Sequence, residues 1–195
     1  MGAKKRIAVL VSGGGTNLQA IIDAQKSGII TSGEVVLVIS NNEKAYALER
    51  AKNAGIKTLV VKRSAYTEGQ IFKAINDEKI DLIVLAGFMT VLSEEFTREF
   101  PHRILNVHPS LIPSFCGKGY YGLKVHEEAL KKGVKVTGAT VHFVNEIPDG
   151  GEIIFQKAVE VADDDTPETL QKKVMEQAEW ILLPRAIEKV CSEMN

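Results

Sequence analysis

The chain of 195 residues has only two cysteines, Cys116 and Cys191, in no recurring spacing. That excludes a disulfide framework and predicts free thiols in a reducing cytoplasm, since a chain of this length needs no disulfide to hold a core. Net charge is nearly absent too: 24 lysines and arginines stand against 25 aspartates and glutamates, a formal -1. No general basic surplus exists for nucleic acid or an anionic membrane, so any anion site must be local. Long apolar runs are missing. The run that follows Lys4, Lys5 and Arg6 stops at Ser12, short of a signal-peptide core and far short of a membrane span, so nothing directs the chain away from the cytoplasm. There is no internal repeat, low-complexity segment or interdomain linker.

What remains is the balance of a globular domain, 45% hydrophobic and 25% charged, with a length that fits one domain and excludes a second large one. Short runs rich in valine, isoleucine and leucine at 7–11, 35–39, 58–61, 82–86 and 104–107 suit strands buried on both faces. Helical patterns at 17–27, 44–54, 67–78 and 93–100 separate them. This alternation predicts an α/β fold: a single-domain, Rossmann-like, doubly wound sheet, mostly parallel with an antiparallel C-terminal edge. Thr16 and Gln19 have capping-box spacing at the first helix, ahead of Leu18, Ile21 and Ile22 at core spacing.

After Pro109 the pattern turns irregular through residue 122, and loops of that length inside a domain are usually functional. A helix at 124–132 leads to strands at 136–144 and 152–161, joined by 145–151. Thr166 with Pro167 opens a last helix to about 194, which Pro184 is expected to kink or interrupt.

The glycine run Ser12-Gly13-Gly14-Gly15-Thr16-Asn17 lies between the first strand and first helix. Its free N–H groups and the positive helix end favour an anion, with phosphate the natural guest. It lacks the Gly-Lys-Ser/Thr ending of a P-loop and the G-x-G-x-x-G spacing of dinucleotide folds. It is near the SGG-x-D-S loop of ATP pyrophosphatases, but Thr16 and Asn17 replace the aspartate and serine. A tight turn without ligand is the bland alternative. In Asn106-Val107-His108-Pro109, positions i and i+2 share one strand face, so an amide and an imidazole stand side by side at a strand's carboxyl end. The amide can donate to a developing oxyanion and the imidazole can move a proton, which together suit attack on a carbonyl carbon. A lone structural histidine is the competing reading. Asp149, in a glycine-flanked turn, is the candidate carboxylate to favour the charged imidazole, and an ordinary turn aspartate is its alternative. His142 alternates with Thr140 and faces either the same cleft or the core. His102 and His126 read as surface or helix positions without a partner. No His/Cys/Asp/Glu spacing suggests a metal site, and Lys131, Lys132 and the acidic run 163–165 read as solvated faces.

Nearly the whole chain resembles the phosphoribosylglycinamide formyltransferase (GAR transformylase) family. The shared strings are Val11-Ser12-Gly13-Gly14-Gly15-Thr16-Asn17-Leu18-Gln19, Leu85-Ala86-Gly87-Phe88-Met89, Leu105 to Pro113, Val141-His142-Phe143-Val144 and Asp149-Gly150-Gly151. The resemblance implies direct transfer of the formyl group of 10-formyltetrahydrofolate, the co-substrate, to the amine of GAR, without metal or covalent intermediate. It implies that Asn106 and His108 stabilise the oxyanion, with His108 the proton donor kept protonated by Asp149. Gly15, Thr16 and Asn17 would cradle the GAR phosphate, and Glu179 and Glu176 would approach the GAR ribose or amine. Met89, Thr90, Val91 and Leu92, with Asn106, Asn145, Glu146, Ile147, Pro148 and Asp149, would hold the folate. One formyltransferase domain would span 1–195, with the phosphate and GAR half at about 1–100 and the catalytic and folate half at about 101–195. The active unit would be a cytoplasmic monomer or homodimer without nucleic-acid or membrane partners. Cys116 replaces a common proline, Thr90 a frequent arginine, and no basic residue directed at the folate is evident near Gly69. Formyltetrahydrofolate hydrolase and methionyl-tRNA formyltransferase share the catalytic string but carry extra domains. A phosphometabolite sensor would keep the glycine loop but has no use for Asn106, His108 and Asp149 together.

Overall fold

The computed structural model describes residues 3–62 and 67–194. Seven strands, β1 (Lys5–Val11), β2 (Gly33–Ser40), β3 (Lys57–Val60), β4 (Leu82–Leu85), β5 (Ile104–His108), β6 (Val136–Phe143) and β7 (Ile153–Glu160), form one sheet in the order β3-β2-β1-β4-β5-β6-β7. The first five pair in parallel, and β6 and β7 add antiparallel. Helices α1 (Thr16–Lys26), α2 (Tyr46–Asn53), α3 (Thr67–Asp77), α4 (Glu94–Glu99) and α5 (Leu123–Lys132) connect strands, and α6 (Pro167–Val174), a π-helical turn (Met175–Glu179) and α7 (Trp180–Glu193) close the chain.

Alternation along the central strands builds two cores. Ile7, Val9 and Val11 pack with Leu18, Ile21, Leu48 and the C-terminal helices on one face. Ala8 and Leu10 pack with Ile71, Ile75 and Phe96 on the other. All five residues 7–11 are fully buried, as parallel strands covered on both faces require. At the sheet edge β3 departs from that expectation: its residues are only half-buried or exposed. No helix among the described residues is long and apolar enough to cross a membrane.

Two local expectations are corrected. The expected Thr16–Gln19 capping box does not form. Gly15, at φ 72, takes the N-cap position, no side chain caps α1, and Thr16 is already inside the helix. Its hydroxyl donates to Met175 Sδ at 3.7 Å, and Gln19 Nε2 donates to Asp23 Oδ1 at 2.9 Å. Nor does the last helical segment break at Pro184, which lies inside α7. The irregularity falls just before it, at the π turn, so the donor that proline lacks is lost where the regular ladder has barely resumed. Thr166 and Thr169 do form a capping box at α6, with proline in the first turn.

After β1 the chain builds outward through β2 and β3, then returns to β4 on the other side. The strand order therefore reverses between β1 and β4, where open α/β sheets bind ligands at their carboxyl ends. The loops leaving these two strands touch: Met89 N–H donates to Ser12 Oγ at 2.8 Å.

Candidate active site

The first two glycines of the loop stand in open space. A Cβ on Gly13 or Gly14 would meet no described atom beyond its chain neighbours within 4 Å, and neither has positive φ, so internal packing does not demand glycine at either place. The backbone there is open to close approach. Gly15 is different: beyond its left-handed conformation, a Cβ would lie 2.6 Å from Ala47 Cβ. Next along the chain, Asn17 is buried and its Nδ2 donates to Glu179 Oε2 at 2.7 Å. Burial raises the Glu179 carboxyl to about 7, against the pull of the Asn17 amide. Asn17 Oδ1 is buried with no partner among the described residues. The π turn, a device frequent at functional sites, thus brings Glu179 from the second half of the chain to the loop of the first. Glu176, by contrast, is exposed and faces Lys172 on its own helical run at 3.8 Å.

Around the end of β5 a second group assembles. Antiparallel register sets Asn106 opposite His142 and His108 opposite Thr140. The 145–151 connection returns Asp149, at φ 56, between the two histidines: Oδ2 lies 3.5 Å from His108 Nδ1, and Oδ1 lies 3.6 Å from His142 Nε2. Asn106 Nδ2 is 3.2 Å from His142 Nε2. His142 Nδ1 is 2.8 Å from the Phe143 carbonyl, which can only accept, so Nδ1 carries a proton. Both open readings of His142 therefore hold, for it is buried and joins the cluster.

His108 Nε2 donates to the Phe115 carbonyl at 2.8 Å, so both ring nitrogens face oxygens, a setting suited to imidazolium. Burial nonetheless pushes His108 below the ordinary histidine value, outweighing the Asp149 carboxylate and Phe115 carbonyl that pull upward. The Asp149 carboxylate thus opposes the downward shift without reversing it. For Asp149 itself, burial works upward, but His142, His108 and the Gly117 N–H, donating at 2.8 Å, hold the carboxyl below its usual value.

The residues expected to hold the folate differ in exposure. Met89, Val91 and Ile147 are exposed, with Val91 80% accessible, whereas Leu92 is buried. Thr90 Oγ1 accepts from Asn41 Nδ2 at 2.8 Å. Asn145 Oδ1 accepts from Ile147 N–H at 3.0 Å and so shapes the turn, while Glu146 and Pro148 are exposed. Residues 63–66, which adjoin the segment near Gly69 where a basic residue was sought, lie outside the described residues.

Sequence reasoning missed Phe115 and Gly117, whose backbone groups hold His108 and Asp149, because neither contact is local. Of the two readings left open for His126, helix holds and surface does not, for it is fully buried on α5. Burial, with a smaller push from His108, lowers its value to about 4. A signal existed: His126 precedes the buried Ala129 by three, a core-face spacing. Asp165 likewise leaves the expected solvated face, capping Ala162 N–H at 2.8 Å and pairing with Lys173 at 2.5 Å. Cys116 and Cys191 are free thiols, and no group of three or more metal-ligating side chains is found among the described residues.

Residues 5–187 match the model of a family described as formyl transferase. The chain belongs to that family. A formyl transferase relative from Haemophilus influenzae, phosphoribosylglycinamide formyltransferase, is 44% identical over 94% of this chain and 85% of that protein. The chloroplastic phosphoribosylglycinamide formyltransferase of Arabidopsis thaliana is 37% identical over 97% of this chain, which spans 66% of that relative's length. The crystal structure of phosphoribosylglycinamide formyltransferase from Anaplasma phagocytophilum superposes with a TM-score of 0.90 at 38% identity, over 98% of this chain and 89% of that one.

Proposed function

We propose that this formyl transferase moves the formyl group of 10-formyltetrahydrofolate to the amine of 5'-phosphoribosylglycinamide, giving formylglycinamide ribonucleotide and tetrahydrofolate in purine biosynthesis. The observation that carries the reading is the joining of Asn106, His108 and Asp149 at the carboxyl end of β5, one strand beyond the switch point where the glycine loop lies. The neutral amine attacks the formyl carbon. An amide N–H of Asn106 and the His108 ring stabilise the oxyanion, the carbon–N10 bond breaks, N10 gains a proton through His108, and the attacking nitrogen loses one. Gly13, Gly14, Gly15, Thr16 and Asn17 hold the phosphate, and Glu179, joined to Asn17, serves the ribose or amine. The exposed apolar side chains of Met89, Val91 and Ile147 serve the pterin. The enzyme works in the cytoplasm as a monomer or homodimer on these two small molecules.

The test is direct. Purified protein is mixed with both substrates, and tetrahydrofolate and formylated product are followed together. Equal release of both is expected. Tetrahydrofolate released without formylated product would make the chain a hydrolase, and no turnover at all would overturn formyl chemistry.

A further inference from the structure

Three consecutive carbonyls of the glycine loop are turned to one side by one segment of the chain. The Ser12 carbonyl accepts from Asn42 Nδ2 at 3.2 Å, the Gly13 carbonyl from the Ala47 N–H at 3.1 Å, and the Gly14 carbonyl from Arg50 Nε at 2.8 Å. In a trans peptide the N–H points opposite to the C=O. The N–H groups of Gly13, Gly14 and Gly15 therefore face away from α2, and among the described residues none of them has an acceptor. Successive N–H groups aimed to one side form an anion-binding concavity. The space at Gly13 and Gly14 is open.

Arg50 does more than a neutral donor could. Its Nη1 donates to Gln19 Oε1 at 3.1 Å and its guanidinium lies 5.0 Å over the Tyr46 ring, so the fork is fixed on α1, α2 and the loop together. We infer that Arg50, with Asn42, is a positioning residue of the phosphate site: it holds the loop carbonyls back so that the N–H groups converge on the anion, and it adds a permanent positive charge beside them. This rests on the proposed reading of the loop as the phosphate site.

Arg50→Gln, Arg50→Lys and Asn42→Ala are compared with Gly14→Val as the control for the loop itself, using KM for each substrate and inhibition by inorganic phosphate. Losing a charge-assisted hydrogen bond predicts about a tenfold rise in KM for phosphoribosylglycinamide and in the phosphate inhibition constant for Arg50→Gln. Its kcat and its KM for 10-formyltetrahydrofolate should stay unchanged. Arg50→Lys should recover only part, because lysine restores the charge without the rigid fork, and full recovery would overturn the carbonyl-holding role. Asn42→Ala, which keeps the arginine, should show the same KM-selective effect in smaller measure. If Gly14→Val raises that KM and Arg50→Gln does not, the inference fails and the loop reading stands. If neither variant does, the loop reading itself fails.

Discussion

The glycine loop after β1 and the cluster at the end of β5 sit on strands with only β4 between them but are built from opposite materials. The loop presents backbone N–H groups fixed by Asn42, Ala47 and Arg50, none of which changes charge near neutral pH. The cluster is made of side chains from β5, β6 and two connections, and within it His108 and Asp149 titrate against one another. Permanent dipoles suit a group that must only be held, and titratable groups suit one that must exchange protons. Mutation should therefore separate binding from turnover along this division.

The largest effect is expected on the cluster side. His108→Ala should lower kcat by roughly 10² to 10⁴, the range for a positioned acid or base, with affinity for phosphoribosylglycinamide nearly unchanged. Single-turnover kinetics with equilibrium binding measures both quantities. Near-normal turnover would remove His108 from the chemistry and erase the division.

A second effect concerns stability. His126 has a value of about 4 in the folded protein against 6.5 for the free side chain, chiefly through burial. A depressed histidine favours the fold while neutral, so its contribution is fully present above 6.5 and is lost as pH falls from there through 4. That amounts to roughly 3 kcal/mol. Urea unfolding from pH 7 to 4 should show this loss, and His126→Leu should remove most of the dependence. An equal pH slope in the variant would assign acid sensitivity elsewhere.

Legibility follows the same division. The strands and the antiparallel edge could be read because apolar runs and turn residues are local signals, and the observed bounds fall within two residues of those expected. The glycine loop was legible for the same reason, being six consecutive residues. Asn106 and His108 were legible as a pair because strand geometry fixes i and i+2. What could not be read is set by tertiary contact: Gly15 displacing Thr16 from the cap, the π turn that delivers Glu179 to Asn17, and the Phe115 and Gly117 backbone groups that hold His108 and Asp149. The net direction of the His108 shift was also hidden, since burial decides it and a sequence shows only the neighbouring charge.

Two glycines of the loop sharpen the contrast between holding a ligand and holding the fold. Gly14→Ala places its methyl in open space, so melting temperature should not change while KM for phosphoribosylglycinamide rises several-fold. Gly15→Ala forces a left-handed alanine against Ala47 and should cost about 1–3 kcal/mol of stability. Thermal melts and steady-state kinetics on the pair would show it. Equal destabilisation in both would mean that Gly14 serves the fold and not the ligand.

The finest test is Asp149→Asn, which alters charge with little change of shape. The carboxylate draws the His108 value upward against burial, so the variant should lower that value further. If His108 must be protonated to donate to the oxyanion or to N10, the limb of kcat/KM that reports it moves to lower pH, and activity survives best under mildly acid conditions. The attacking amine works in the opposite sense, because it reacts only when neutral. Its limb belongs to the substrate and stays in place, so the fraction with His108 protonated and the amine neutral shrinks and the maximum of the bell should fall. Titration of His108 by NMR in both proteins reads the cause separately from the rate. An unchanged or raised value in Asp149→Asn would show that the carboxylate does not tune the ring, and its contacts with Gly117 and His142 would then define its role as shaping the turn.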